Sequence, residues 1–190
     1  MHVQTHIMSG WVLSNYLDLT PRERGFCMLA ASLADLDGLS ILFGQNAYWS
    51  YHHLLCHNLA FAIFFSSLLA LRSTRRVRCF FIYLSLAHLH LLLDYFGSGP
   101  GWNIYYLYPF SRRSLFNPHA WDFYSWQNIT AAIVLLIWTL GIAIRYGRTP
   151  LETVMPDLDR QIVAWLRRRL PTFAPRSPSA EHRSAPRSLP

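Results

Sequence analysis

The sequence predicts an all-α integral membrane protein, a helical bundle of about four apolar helices followed by a cytoplasmic amphipathic helix. Only 14% of the 190 residues are charged, whereas soluble domains carry about 25%. The chain therefore has too little charge to coat a surface in water. Its hydrophobic residues, 52% of the total, are concentrated in long runs, and arginine supplies all 17 basic side chains between and beyond those runs.

Four apolar runs form the predicted spans. The runs 54–71 and 79–96 have 18 residues each, and as helices they would measure about 27 Å, close to the hydrocarbon core of a bilayer at about 30 Å. The run 129–144 has no charge, and the run 25–43 is interrupted by Asp35 and Asp37. A soluble all-helical protein with unusually apolar core helices is the alternative interpretation.

The arginines orient these runs. Residues 72–78 contain four arginines, and Arg145 and Arg148 follow the last run. Both clusters belong in the cytoplasm by the positive-inside rule, and all four runs then fit one orientation with a cytoplasmic C-terminus. We expect a multi-pass protein of the bacterial inner membrane whose partner is the lipid bilayer. The net charge of +7 is explained by this anchoring, so no nucleic-acid partner is expected.

The chain divides into three predicted segments. Residues 1–148 form a membrane-embedded domain. Residues 149–170 form an amphipathic helix at the membrane surface, in which Leu158, Ile162 and Trp165 share one face and a run of arginines ends the segment. Residues 171–190 are rich in Pro, Ser, Arg and Ala, which predicts a disordered tail.

Several histidines and the three acidic residues of the apolar runs lie on the membrane side opposite the arginines. Ionisable groups within or beside spans are usually functional. His90 and Asp94 are four residues apart and project from one helix face, and His53 and His57 have the same spacing. Such a combination suits a zinc-like or dinuclear site. The predicted cluster consists of His6, Asp35, Asp37, His52 or His53, His57, His90 and Asp94.

At these residues the chain resembles the bacterial inner-membrane metal-dependent hydrolases of the YdjM type, which are described as LexA-binding and inner-membrane-associated. The resemblance covers residues 6–110. The motif from His52 to His57 departs from the family, with His53 and Leu54 where Arg and Gly are usual and Cys56 where Thr is usual. The motifs are Thr5-His6, Asp35-Leu36-Asp37, the element from His52 to His57, the element from His90 to Asp94, Gly97 and Tyr108-Pro109-Phe110.

That family is similar in turn to the helical zinc-dependent phospholipase C and P1 nuclease superfamily. The resemblance implies an all-helical fold and hydrolysis of a phosphate ester. It favours His52 over His53 as a ligand, whereas helix spacing favours His53, and it makes Asp94 a bridge between two metals. The implied ligands are His6, Asp37, His52, His57, His90 and Asp94.

The expected function of residues 1–148 is that of a membrane-bound metal-dependent hydrolase. It would cleave a phosphoester or lipid-like substrate with water activated by a divalent metal, with zinc preferred and one or two ions bound. Asp35 is the expected base, and Arg112 or Arg113 would hold an anionic group. The alternatives are a non-enzymatic protein for metal handling or transport that uses the same cluster, and a structural protein that binds no metal.

Overall fold

The computed structural model describes residues 1–171, and the chain is helical over most of that length. The predicted tail 171–190 lies outside the described residues except for Pro171. Residues 1–171 contain no β-strand, only one isolated bridge between Ile104 and Leu115. The all-α prediction is confirmed. The α-helices are α1 (Val3–Ser14), α2 (Pro21–Ala30), α3 (Gln45–Tyr51), α4 (Leu59–Leu71), α5 (Arg76–Gly97), α6 (Trp126–Tyr146) and α7 (Pro156–Arg169), with 3₁₀ helices at Leu33–Phe43 and Pro150–Thr153.

Two helices in residues 1–171, α5 and α6, are long and apolar enough to cross a membrane. With 22 and 21 residues, they measure about 33 and 31 Å. Helix α2 and the 3₁₀ helix Leu33–Phe43 pass the same test together but are bent by 53° at their junction, so they form a third candidate span or a re-entrant loop. The prediction of about four apolar spans is not confirmed.

The run 54–71 gives a shorter helix than predicted. Helix α4 begins only at Leu59 and has 13 residues, which is about 20 Å. Asn58 has extended backbone and accepts a hydrogen bond from the amide of Phe61 at 2.8 Å, which caps the helix. His53, five residues earlier, has a φ of 66°. The expectation that His53 and His57 lie one turn apart on a helix is therefore wrong.

The described chain divides into two compact units, Met1–Thr139 and the residues from Leu140 onward. The core of the first lies between α2, α4 and α5, where Cys27, Leu69, Cys79 and Tyr83 are buried. Helix α1 packs against α2 at Gly10, where a Cβ would lie only 2.6 Å from the carbonyl oxygen of Cys27. The absence of a side chain lets the two backbones touch, and this sets the position of the rest of α1.

A buried amide, that of Asn128, helps to hold the loop that joins α5 to α6. Asn128, in the first turns of α6, donates to the carbonyl oxygens of Gly97, Asp122 and Phe123 and accepts from the Trp121 indole at 2.7 Å. Its distance to the Gly97 oxygen is 2.7 Å. These bonds fasten the loop to the carboxyl end of α5, the end that carries Asp94.

The second unit contains the end of α6 and the amphipathic helix α7, which covers only residues 156–169 of the predicted segment 149–170. Gly147 has a φ of 70°, which lets the chain turn after α6. Arg167 donates to the carbonyl oxygen of Ile144 at 2.9 Å, so a cation lies at the negative end of α6. Asp159 accepts from the amide of Thr149 at 2.6 Å. Placement of α7 on the membrane surface stays a prediction.

Candidate metal centre

Helix α5 supplies two donors at one turn's spacing. His90 Nε2 lies 2.9 Å from Asp94 Oδ2, as expected for residues four apart on a helix. On its other side, His90 Nδ1 lies 2.8 Å from the carbonyl oxygen of Ala31. A carbonyl oxygen only accepts, so Nδ1 carries the hydrogen and the Nε2 lone pair is directed at the cluster.

One group of donors surrounds this helix end. His6, Asp35, His90 and Asp94 each offer an atom within 4.8 Å of the others. His6 Nε2 lies 3.2 Å from Asp94 Oδ1, and His90 Nε2 lies 3.8 Å from Asp35 Oδ1. Tetrahedral zinc with bonds of 2.0–2.1 Å would hold its ligands about 3.3 Å apart. The observed separations are close to that value.

A second group consists of His52, His53 and His57, whose donor atoms also lie within 4.8 Å of one another. The rings of His53 and His57 stack with centroids 4.1 Å apart. This group adjoins the first, because His57 Nε2 is 3.2 Å from Asp94 Oδ2 and 3.1 Å from His90 Nε2. The two groups form one continuous cluster of imidazoles and carboxylates.

Asp37 contacts the second group with both carboxylate oxygens. Oδ1 lies 2.6 Å from His52 Nδ1, and Oδ2 lies 3.0 Å from His57 Nδ1. Oδ2 also accepts from the amide of Cys56 at 3.0 Å. Carboxylates placed behind histidines in this way orient the rings and raise their basicity as ligands. Asp37 was predicted as a ligand, and its contacts are those of a residue that positions ligands.

The cluster is buried and its polar atoms are incompletely satisfied. His6, His57, His90 and Asp94 are at most 2% exposed. Asp35 Oδ2, His6 Nδ1 and His53 Nδ1 are buried atoms without a hydrogen-bond partner among the described residues. Buried polar groups are nearly always paired. Unpaired nitrogen and oxygen atoms beside a set of histidines and carboxylates fit a divalent cation.

The protonation of the histidines also suits a metal site. Burial lowers the pKa of His6, and burial together with the neighbouring His57 lowers the pKa of His53 well below its usual value. Both rings are therefore neutral, the form that binds metals. Burial opposes a charge on His57 as well, but hydrogen bonds to Asp37 and Asp94 outweigh it and raise its pKa to about 9. A cation bound at this ring would displace a proton.

A cavity of about 170 Å³ gives access to the cluster. Asp35, His53 and Asp94 lie on its wall. Ser98, one turn after Asp94 on α5, donates to Asp94 Oδ1 at 2.9 Å and lines the same cavity. Water and a small substrate group can therefore reach both donor groups.

Comparison with known protein families agrees with the location in a membrane. A family model described as YdjM inner membrane protein matches residues 1–166. The chain belongs to the YdjM inner membrane protein family. Membership of this family and the candidate spans place the protein in the inner membrane, in contact with the lipid bilayer. No curated protein and no solved structure gives a significant match to the chain.

The YdjM-family chain brings together all seven cluster residues predicted from sequence. Both His52 and His53 lie in the second donor group, so their positions do not separate the two alternatives. Asp35, predicted as the base, lies in the first donor group and lines the cavity. The seven are His6, Asp35, Asp37, His52, His57, His90 and Asp94.

The two arginines predicted to bind substrate differ in position. Arg112 lines a second cavity that adjoins the first. Both side chains are exposed, but Arg113 does not line this cavity, and its backbone amide donates to Ser111 Oγ at 3.2 Å. Nothing in the sequence indicates which of these two adjacent arginines would line a cavity. His88 is outside the cluster, because its ring contacts the Leu84 carbonyl oxygen at 2.8 Å and the Tyr106 hydroxyl at 2.9 Å.

Three residues of the site were not predicted. Ser98 continues the four-residue spacing of His90 and Asp94, and that periodicity was a usable signal. Tyr48 stacks on His52 with ring centroids 4.7 Å apart, and Trp102 lies 5.1 Å from His52 by the same measure. Trp102 is one of several aromatic residues in the segment between α5 and α6, and nothing in its sequence context distinguishes it from the others.

Proposed function

We propose that this protein is a membrane-bound metal-dependent hydrolase that cleaves a phosphoester substrate. The observation that carries the proposal is the convergence of two donor groups, one on His6, Asp35, His90 and Asp94 and one on three histidines, beside one cavity. Hydrolysis needs a nucleophile, a base and a means to stabilise negative charge. A zinc centre in this cluster would serve two of these needs.

The donor set favours zinc and two ions. Zinc prefers histidine nitrogen and carboxylate oxygen in four-coordinate sites, and both donor types are present. Asp94 reaches both groups, since its Oδ1 lies near His6 and its Oδ2 near His57 and His90. We assign to Asp94 a bridging role, and to Asp37 the role of holding His52 and His57.

The metal ion and the protein would contribute different parts of the hydrolytic reaction. When bound, zinc lowers the pKa of water to about 7 and stabilises charge on a phosphoryl oxygen. Asp35 Oδ2 has no hydrogen-bond partner among the described residues, and the side chain is 14% exposed at the cavity. Asp35 would accept the proton of the attacking water, and the buried imidazoles would exclude bulk solvent around it.

Metal analysis of detergent-purified protein tests the proposal. Wild-type protein is expected to retain up to two equivalents of zinc, and His90→Ala and Asp94→Ala are expected to lose at least one. His88→Ala is the matched control, because it removes a histidine from the same helix but outside the cluster. Absence of stoichiometric metal in wild-type protein under metal-replete conditions would refute the proposal.

An activity assay separates hydrolysis from metal handling. Metal-loaded protein is expected to cleave bis(4-nitrophenyl) phosphate, and the two cluster variants are expected to be inactive. If wild-type protein binds metal but cleaves neither this ester nor short-chain phospholipids, the alternative of a non-enzymatic metal-handling protein is supported instead.

A further inference from the structure

A second cavity adjoins the candidate metal centre. Its volume is about 260 Å³, below the range of about 300–1,000 Å³ that is usual for drug-sized ligands. It shares His52 and Trp102 with the cavity at the cluster. A single molecule could therefore occupy both, with one part at the donor groups and a small second part beyond His52.

The polar groups of this second cavity indicate the chemistry of its ligand. Arg112 lines it and has no ion pair or hydrogen bond from its guanidinium among the described residues. Asn103 also lines it, and its Oδ1 is a buried atom without a partner in the same part of the chain. A free guanidinium attracts an anion, particularly phosphate. An unpaired amide oxygen accepts a hydrogen bond from a hydroxyl group.

The aromatic walls do not form a cage for a quaternary ammonium group. Trp49 and Trp102 stack on each other with centroids 4.6 Å apart and an interplanar angle of 16°, so each ring covers one face of the other. A cation in the cavity would also be repelled by Arg112. These features favour a group that is anionic overall over a choline-like headgroup.

The surface beside the cavity is apolar. Trp49 lines the cavity and is 65% exposed, and Phe110, two residues before Arg112, is 88% exposed. In a protein of the inner membrane such side chains suit contact with lipid at the interface. A ligand that has a polar group in the cavity and hydrocarbon outside it satisfies both features.

We propose that the second cavity binds the headgroup of an anionic amphiphile, a phosphate ester that carries hydroxyl groups such as phosphoglycerol. Arg112 contacts a phosphate oxygen, and Asn103 accepts from a headgroup hydroxyl. The proposal rests on the proposed function in one respect, that the adjoining metal centre acts on the phosphoester of the same molecule. Headgroup binding itself needs only the residues of the second cavity.

Calorimetric titration of detergent-solubilised protein tests this assignment. The probes are dihexanoyl-phosphatidylglycerol, dihexanoyl-phosphatidylcholine and glycerol 1-phosphate, the last of which presents the same chemistry without a lipid. Wild-type protein is expected to bind the phosphatidylglycerol at least tenfold more tightly than either other probe. Equal affinity for the two lipids would overturn the proposal, and so would equal affinity for glycerol 1-phosphate.

Substitutions at and beside the second cavity test whether the lipid headgroup binds there. Arg112→Gln is expected to weaken phosphatidylglycerol binding by about tenfold, the effect of one charge-assisted hydrogen bond, whereas Arg112→Lys keeps the charge and should stay within about threefold. Asn103→Leu is expected to weaken binding several-fold. Arg113→Gln is the matched control and should have no effect, because Arg113 is exposed like Arg112 but does not line the cavity. A loss in Arg113→Gln equal to that in Arg112→Gln would contradict the site.

The metal content of the same preparations separates this proposal from the hydrolase proposal. Wild-type protein that contains zinc but shows no preference for phosphatidylglycerol rejects the headgroup site alone. Protein that lacks zinc but binds phosphatidylglycerol through Arg112 rejects the metal centre and supports the headgroup site. His90→Ala is expected to lose metal and to retain lipid binding, since His90 does not line the second cavity.

Discussion

Gly10 on α1 and Cys27 on α2 meet backbone to backbone. A Cβ on Gly10 would lie 2.6 Å from the Cys27 carbonyl oxygen and 2.9 Å from the Cβ of Ala31. His6 is one turn before Gly10 on the same face, and Ala31 is the residue whose carbonyl oxygen contacts His90. The close approach of two helices thus sets the distance between two candidate ligands.

Substitution of Gly10 should affect stability and metal content together. Gly10→Ala forces α1 away from α2, and we expect a loss of about 1–3 kcal/mol in the free energy of unfolding and a lower zinc content. Gly141→Ala on α6 is the control, because no atom of residues 1–171 lies within 4 Å of its added Cβ. Thermal unfolding in detergent and metal analysis are the measurements. Equal behaviour of the two variants would contradict this account of the α1–α2 contact.

Asn128 should be important for stability although it lies outside the cluster. Asn128→Ala leaves the Trp121 indole and the Gly97 carbonyl oxygen without their partner. We expect a loss of about 3 kcal/mol, since unpaired buried polar groups cost about 1–3 kcal/mol each. Gln127→Ala, the adjacent and partly exposed position, should change stability by less than about 0.5 kcal/mol. A thermal melt of both variants in one detergent makes the comparison.

Substitution of Asp35 should lower the turnover rate more than it lowers metal binding. Asp35→Asn removes the base but keeps an oxygen at the same place, so kcat for a phosphodiester is expected to fall by about 100-fold or more with zinc content and KM nearly unchanged. Steady-state kinetics and metal analysis of one preparation test this. A parallel loss of zinc would identify Asp35 as a ligand and would remove it from the role of base.

The positions of the arginines predict the orientation of the protein in the membrane. A reporter fused after Arg148 should be cytoplasmic and one inserted at Pro109 should be external, because α6 is the candidate span between them and the arginines follow it. Alkaline phosphatase and green fluorescent protein fusions give complementary signals. Two reporters on one side would show that α6 does not cross, and reversed signals would place the candidate metal centre at the cytoplasmic face.

The helical part of the site could be predicted from sequence because a helix has a fixed period. His90 and Asp94 follow directly from that period, and the all-helical fold follows from the apolar runs. The histidines at 52–57 could not be placed in this way, since His53 adopts a positive φ and α4 starts only after Asn58. The same local geometry explains why the run 54–71 overstated the length of the helix.

The remaining differences arise from tertiary contacts that no single segment encodes. Arg112 and Arg113 are adjacent in sequence, and the packing of the loop decides which one lines a cavity. Asp35 and Asp37 are two residues apart, yet one lines the cavity and the other lies behind His52 and His57. Their location on the same side of the membrane was predictable from the sequence, whereas their separate roles depend on the tertiary structure.

Asp37 has a thermodynamic consequence for ion binding. Its oxygens contact His52, His57 and the amide of Cys56, so the segment 52–57 is ordered by the protein itself. Fixing the backbone of a residue costs about 1–2 kcal/mol in entropy, and folding meets this cost before an ion arrives. Zinc should then associate with a preorganised site, at a high rate and with a small change in heat capacity. In Asp37→Ala protein the segment 52–57 should become ordered only when zinc binds. Zinc binding should then carry a larger entropic penalty than in wild-type protein.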